Sequence, residues 1–273
     1  MGFLYRGGYD RKGCYSKRNQ PPKRQKAMTK LSEIGYGFSS ILERLRQESF
    51  FLYHPASMAN RGLSVNTPFC QAVVGCGYLT FEQMLNAAYR YRLGGSKKGG
   101  VIFWQIDHDG MPCDGKVMYY GSDCHRLKRQ NPTWVTAILR RREHQPKSDQ
   151  GSIHCFFGLH LIRHWGGDVA IVEAEKTAII LGEHYPQYVW LAAGGLYELN
   201  VDKFKPLRGR KIVLFPDTDP DGMAYRYWCK KAQEVMASPF WEESPPIRVS
   251  AILEQHATPA QKAAKIDLID FLF

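Results

Sequence analysis

No C-x-x-C pair occurs in the 273 residues, although the chain holds seven cysteines. An odd number without short ligand pairs supports neither a disulfide framework nor a zinc ribbon, so reduced thiols are expected. Cys113, Cys124 and His125 lack the paired spacing of structural zinc sites, and no zinc is expected there. His154, His160 and His164 also miss the i, i+4 spacing of a helical metal pair, which leaves them structural or solvated roles. No run approaches the roughly twenty apolar residues of a transmembrane helix, and the start lacks the apolar stretch of a signal peptide. A cytoplasmic protein with no membrane partner is expected. A GxxxxGK[ST] phosphate loop is missing as well, so no attached helicase or ATPase motor is indicated. Acid is scarce at the start. Up to residue 30, Asp10 stands alone against Arg6, Arg11, Lys12, Lys17, Arg18, Lys23, Arg24, Lys26 and Lys30, and residues 1–37 are expected to form a disordered basic arm.

What is present argues for a folded, basic protein. Hydrophobic residues make up 44% and aromatics 13%, enough for a buried core. Lys and Arg exceed Asp and Glu by 37 − 26 = 11, and a surface of that sign attracts polyanions, with nucleic acid the first candidate. The polar stretch RREHQPKSDQGS at 141–152 breaks the composition and divides a basic α+β nucleic-acid-binding subdomain at 38–150 from a second domain at 151–273. In the first, GFSSILERLRQESFFLY reads as an amphipathic helix. TFEQMLNAAYRYRLGG reads as another, with Thr80 as N-cap, Gln83 closing a capping box and Gly94 or Gly95 as the stop. VIFWQI, the turn DHDG and GKVMYY form a hairpin, in which Asp107 and Asp109 are turn residues rather than metal ligands. His125, Arg126, Lys128, Arg129 and Trp134, followed by Arg140, Arg141 and Arg142, have two readings. The cations pair phosphates while an aromatic ring stacks a base, or the segment is a solvated basic face with Trp134 in the core.

Beyond the boundary the pattern alternates. CFFGLHLIRHW reads as a helix, VAIVE as a strand, KTAIILGEH as a helix, YVWLAA and KIVLFP as strands, GMAYRYWCKKAQEV as a helix and IRVSAIL as a last strand. Such alternation implies an α/β fold, a parallel sheet of about four strands flanked by helices, with the functional site at the carboxyl ends of the strands. Glu173 ends one strand, Gly194 and Gly195 another, and Asp217, Asp219 and Asp221 follow a third. Carboxylates crowded at one edge repel one another unless a cation intervenes, and hard oxygen ligands suit Mg²⁺ or Mn²⁺. A calcium loop opening at Asp217 is excluded, because its closing Glu would fall on Trp228.

These residues resemble a known family. VAIVEAEKTAIIL is similar to the first motif of Toprim domains, and KIVLFPDTDPDG to the second, a strand followed by DxDxDG. The resemblance implies a Toprim domain with Glu173 in acid–base chemistry, Asp217 and Asp219 as metal ligands and Asp221 in support. The upstream order, YLTFEQMLNAAYRYRLGGSKKGGVIFWQID followed by CFFGLHLI, resembles the catalytic core of bacterial replicative primases. FWQIDHDG, HRLKR, FGLHL and WLAAGG look closer to the primase-like Toprim proteins of bacterial plasmids and integrative elements. The implied activity is primer synthesis on single-stranded DNA from nucleoside triphosphates. Toprim nuclease activity or a non-catalytic accessory role is the alternative. Lys116, Arg126, Lys128, Arg129 and Lys176, with Gly194 and Gly195, would then contact template or nucleotide. A replicative helicase or other mobile-element replication proteins are the further partners implied. The ending KIDLIDFL resembles an Asp-rich tail, which makes Asp267 and Asp270 secondary candidates; it reads equally as a short amphipathic helix. The sequence departs from the family at Ala174, where Gly is frequent, at Thr177, where Asp is frequent, and in having the basic arm where primases carry a zinc module.

Overall fold

After a short helix α1 (Ala56–Arg61), Thr67 and Thr80 open α2 (Pro68–Gly75) and α3 (Phe81–Arg90). These and all following elements belong to a computed structural model that describes residues 54–61, 64–144 and 154–273. The arm at 1–37, the helix expected over 37–53 and most of the boundary stretch lie outside the described residues. The described residues fall within one unit, Ser49–Phe273.

Thr80 and Gln83 form the expected capping box, each side chain taking the other's backbone N–H. The far end of α3 differs from expectation. The helix stops at Arg90, Arg92 rather than a glycine takes the left-handed conformation (φ 52), and Gly94–Gly95 become a short strand β1. The cause is tertiary. Tyr91 turns into the core at 1% exposure, and its hydroxyl is shared between the carbonyls of Ala178 (3.1 Å) and Trp190 (3.0 Å).

β2 (Val101–Ile106) and β3 (Pro112–Met118) make the expected hairpin, with Val101 opposite Met118. Asp107 closes its turn by accepting the N–H groups of Asp109 and Met111 on Oδ1. β4 (Thr133–Trp134) joins β3 and leads into α4 (Val135–Arg142), giving an antiparallel sheet of order β1-β2-β3-β4. A Cβ at Gly115 would come within 2.8 Å of the Ile102 and Val135 side chains, so glycine lets the helix sit on the strand. Trp134 is half-buried and packs on the His154 ring at 4.4 Å.

CFFGLHLIRHW does not coil as expected. Phe157 pairs with Ala192, Gly158 adopts φ 83, and only a 3-10 turn, Leu159–Arg163, follows. A Cβ on Gly158 would lie 3.1 Å from the Trp190 carbonyl, so the segment is strapped to a strand edge and cannot enter an α-helix there.

The second sheet is wholly parallel. β5 (Asp168–Val172), α5 (Glu175–His184), β6 (Tyr188–Ala192), β7 (Ile212–Phe215), α6 (Met223–Met236) and β8 (Arg248–Val249) give the order β6-β5-β7-β8. The expected last strand over IRVSAIL is shorter than its sequence pattern. It leaves the sheet after Ser250 donates to the Leu214 carbonyl, and α7 (Ile252–His256), α8 (Pro259–Ala264) and α9 (Leu268–Leu272) complete the chain. One hydrophobic cluster joins both sheets through Phe69, Phe103, Tyr91, Phe157 and Trp190. Tyr91 stacks on Phe157 at 5.1 Å, and a Cβ at Gly182 would meet its hydroxyl at 2.8 Å. Among the described residues no helix is long and apolar enough to cross a membrane.

Candidate functional site

β5 and β7 run side by side with Val172 opposite Phe215, so the residues that follow them emerge together. Glu173 follows β5, Asp217 follows β7, and the Asp217 N–H donates to Glu173 Oε1 at 3.4 Å. β6 flanks β5 on its other side, and the N–H of Gly194 donates to the Glu173 carbonyl at 2.9 Å. Gly194 and Gly195 have φ of +97° and +153°, a turn that a side chain would strain. These residues line a cleft of about 250 Å³ together with Lys116, Tyr120, Arg126, Ala174, Glu175 and Lys176. The structure therefore brings Glu173, Asp217, Gly194, Gly195, Lys116, Arg126 and Lys176 to one place.

The carboxylates of this cleft are under electrostatic pressure. Burial pushes Glu173 up to about 7, opposed by the Asp217 N–H and reinforced by the charges of Asp219 and Asp267. Asp217 is driven well above its ordinary range, first by desolvation and then by Glu173, Asp267 and Asp270. Lys176 is the cation set among them, 3.4 Å from Asp267 and 3.8 Å from Asp270. Burial favours its neutral form, but those two charges outweigh it and hold the ammonium above its usual value.

Asp219 and Asp221 stand apart from the cleft lining. Asp219 Oδ1 accepts the N–H groups of Asp221 and Met223, both at 3.0 Å, and Oδ2 accepts that of Ala224 at 2.7 Å. Burial raises this carboxyl, yet those backbone donors prevail and hold it below its ordinary value. It caps the start of α6. Asp221 is exposed, and its carbonyl accepts from Arg226. Lys128 and Arg129 are exposed on the loop beyond Arg126 and do not line the cleft. Asp267 and Asp270 form the capping box of α9, and Asp267 Oδ2 also accepts the Thr177 hydroxyl at 2.9 Å.

Residues 69–218 match the family described as Domain of unknown function (DUF6371). The chain belongs to that family. The matched span of DUF6371 runs from α2 through Glu173 to the residue after Asp217, so it takes in both carboxylates of the cleft. No curated protein matches the chain. Among solved structures the chain is similar to the crystal structure of the primase fragment of Bacteriophage T7 primase-helicase protein, with 17% identity and a TM-score of 0.37. The alignment covers 63% of this chain and 66% of that fragment.

Sequence reading of this DUF6371 chain misses Glu175. It is 2% exposed at the first turn of α5, and the Lys116 ammonium donates to its Oε1 at 3.0 Å and to the Gly194 carbonyl at 2.7 Å. Lys116 thus clamps the glycine turn to the antiparallel sheet, with its charge largely matched by Glu175. The one signal that points to it is a second carboxylate two positions after Glu173, where a strand passes into a helix. Among the described residues no three His, Cys, Asp or Glu side chains converge as a metal cage. Two crowded carboxylates beside solvent nevertheless fit Mg²⁺, which commonly takes one or two protein carboxylates and fills its remaining positions with water and substrate phosphates.

Proposed function

We propose that this chain is a Toprim-type, primase-like nucleotidyltransferase that makes short primers on single-stranded DNA with Mg²⁺ or Mn²⁺. The observation carrying this reading is the Glu173–Asp217 pair at adjacent parallel strand ends, raised in pKa within a cleft bordered by Lys116 of the other sheet and by Arg126 on the loop that follows β3. Asp217 would hold the cation beside Glu173; bound there, it would neutralise triphosphate charge and orient the reacting phosphate. Asp219, assigned to the metal by the motif resemblance, supports the loop by capping α6. Glu173, which the motif resemblance assigns to acid–base chemistry, would take the proton from an attacking hydroxyl. Arg126, exposed at the rim, suits phosphate contact, while Lys116 and Gly194 set the shape of the nucleotide-facing turn. The motif resemblance adds replication of a plasmid or integrative element as the setting.

The test is nucleotide incorporation on single-stranded DNA by the full chain, with Mg²⁺ and Mn²⁺ varied. Asp217→Asn is expected to lower metal-dependent incorporation by about 100-fold or more. Unchanged incorporation in that variant overturns the assignment. A second reading, a non-catalytic strand-binding factor, draws on the commitment of both Asp219 oxygens to backbone donors. It is favoured if Glu173→Gln keeps full function and salt-sensitive DNA binding. Cleavage of labelled DNA without nucleotides favours a Toprim nuclease instead.

A further inference from the structure

Among the described residues the most exposed large apolar side chain is Tyr197, at 65%. Its backbone is fixed. Leu196–Glu198 form a 3-10 turn directly after Gly194 and Gly195, and the Leu196 carbonyl accepts the indole N–H of Trp228, itself fully buried, at 3.1 Å. The Tyr197 ring meets Tyr227 edge to face at 5.2 Å, and its hydroxyl reaches the sulfur of Met223, 44% exposed, at 4.0 Å. Met223, Arg226, Tyr227 and Lys230 recur at i, i+3, i+4 and i+7 and so share one face of α6, with Arg226 and Lys230 exposed.

Singly exposed apolar residues need no explanation. Here, however, an aromatic ring stands on a turn pinned by a buried tryptophan, is backed by a second ring and a thioether, and adjoins a helix face carrying two exposed cations. It also lies next to the cleft, because its turn leaves the end of β6 and α6 begins at the DTDPDG loop. Of the acids around it, Glu198 pairs with Lys203, Glu234 with Lys231 and Glu254 with Lys262, while Asp221 stands exposed before the start of α6. On a chain of net charge +11 this combination suits a ligand with flat apolar faces strung on an anionic backbone.

We infer that Tyr197, supported by Tyr227 and Met223, is a stacking platform for an unpaired base of a single-stranded nucleic acid whose phosphates run past Arg226 and Lys230. The inference rests on the reading that this chain works on single strands, but it concerns binding and is separable from chemistry. A duplex offers no free base face to such a ring, and an apolar peptide has no use for the cations.

The experiment is fluorescence anisotropy of the full chain with labelled oligothymidylate, oligouridylate and an abasic strand of equal length. Tyr197→Ala is expected to weaken binding of base-bearing strands about tenfold, with Tyr197→Trp retaining it and the abasic strand unaffected. Base-dependent loss on either sugar supports the platform, and the tighter strand identifies the ligand as DNA or RNA. Unchanged affinity in Tyr197→Ala, or an equal loss on the abasic strand, overturns it. If incorporation is absent while base-dependent loss is present, the proposed enzyme falls and the platform stands. If Tyr197→Ala synthesises primers normally and binds every strand as tightly as the parent, the enzyme stands and the platform falls.

Discussion

The acidic wall of the cleft and the basic wall facing it are held in place by different means. Glu173 and Asp217 sit directly on the ends of β5 and β7, and their neighbour Asp219 is locked by three backbone N–H groups. The basic wall comes from elsewhere. Lys116 projects from β3 of the antiparallel sheet, and Arg126 is brought in by a bridge between its backbone and Tyr120. Neighbouring parallel strands therefore bring the acids together, while packing between the two sheets brings the cations up to them. A wall of the first kind survives loss of a side chain better than one of the second.

The joint between the two walls should contribute most to stability. Lys116→Gln leaves Glu175 buried without its ammonium and frees the Gly194 turn, and chemical denaturation should show a loss of roughly 3–5 kcal/mol. A loss below about 1 kcal/mol, the range of a surface pair, would mean that the clamp is not structural.

A second joint is sensitive to pH. His160, in the 3-10 turn before β5, is 6% exposed and donates from Nε2 to the Arg90 carbonyl at the end of α3. Its Nδ1 is buried with no hydrogen-bond partner among the described residues. Protonation would bury an unmatched N–H, and desolvation, only partly offset by the Arg90 bond, lowers its pKa from 6.5 to about 4. The unfolded chain thus binds more protons between those values, so stability is complete above about 6.5 and falls as pH drops toward 4, by about 3 kcal/mol in all. Denaturation midpoints across that window, compared with His160→Gln, check it. A variant with the parent's slope would assign the acid sensitivity to other groups.

The smallest effect sharpens the acidic wall. Asp217→Asn removes one of two mutually repelling carboxyls, and without metal the variant is expected to gain about 1 kcal/mol in thermal unfolding while losing activity. A lower melting temperature would show that Asp217 is held by favourable contacts rather than crowded.

Much of this fold is legible in the sequence. The capping box at Thr80 and Gln83, the hairpin around Asp107 and the alternating strands and helices all rest on local chemistry, and each appears where its signal lies. Two of the departures share one cause. CFFGLHLIRHW has a helical pattern, yet Phe157 pairs with Ala192 and Gly158 abuts the Trp190 carbonyl. α3 ends before its glycines because Tyr91 is drawn to carbonyls of α5 and β6, 87 and 99 residues away. A local pattern contains no information about partners that distant.

The same division holds for the site. The sequence alone determined which carboxylates stand at strand ends, because strand, turn and helix signals lie within a few residues of Glu173 and Asp217. The folded chain settles what the local pattern leaves open: Asp219 caps α6, Lys116 pairs with Glu175, and Thr177 and Lys176 reach Asp267. A carboxylate's role depends on which donors reach it first, and those donors are chosen by packing.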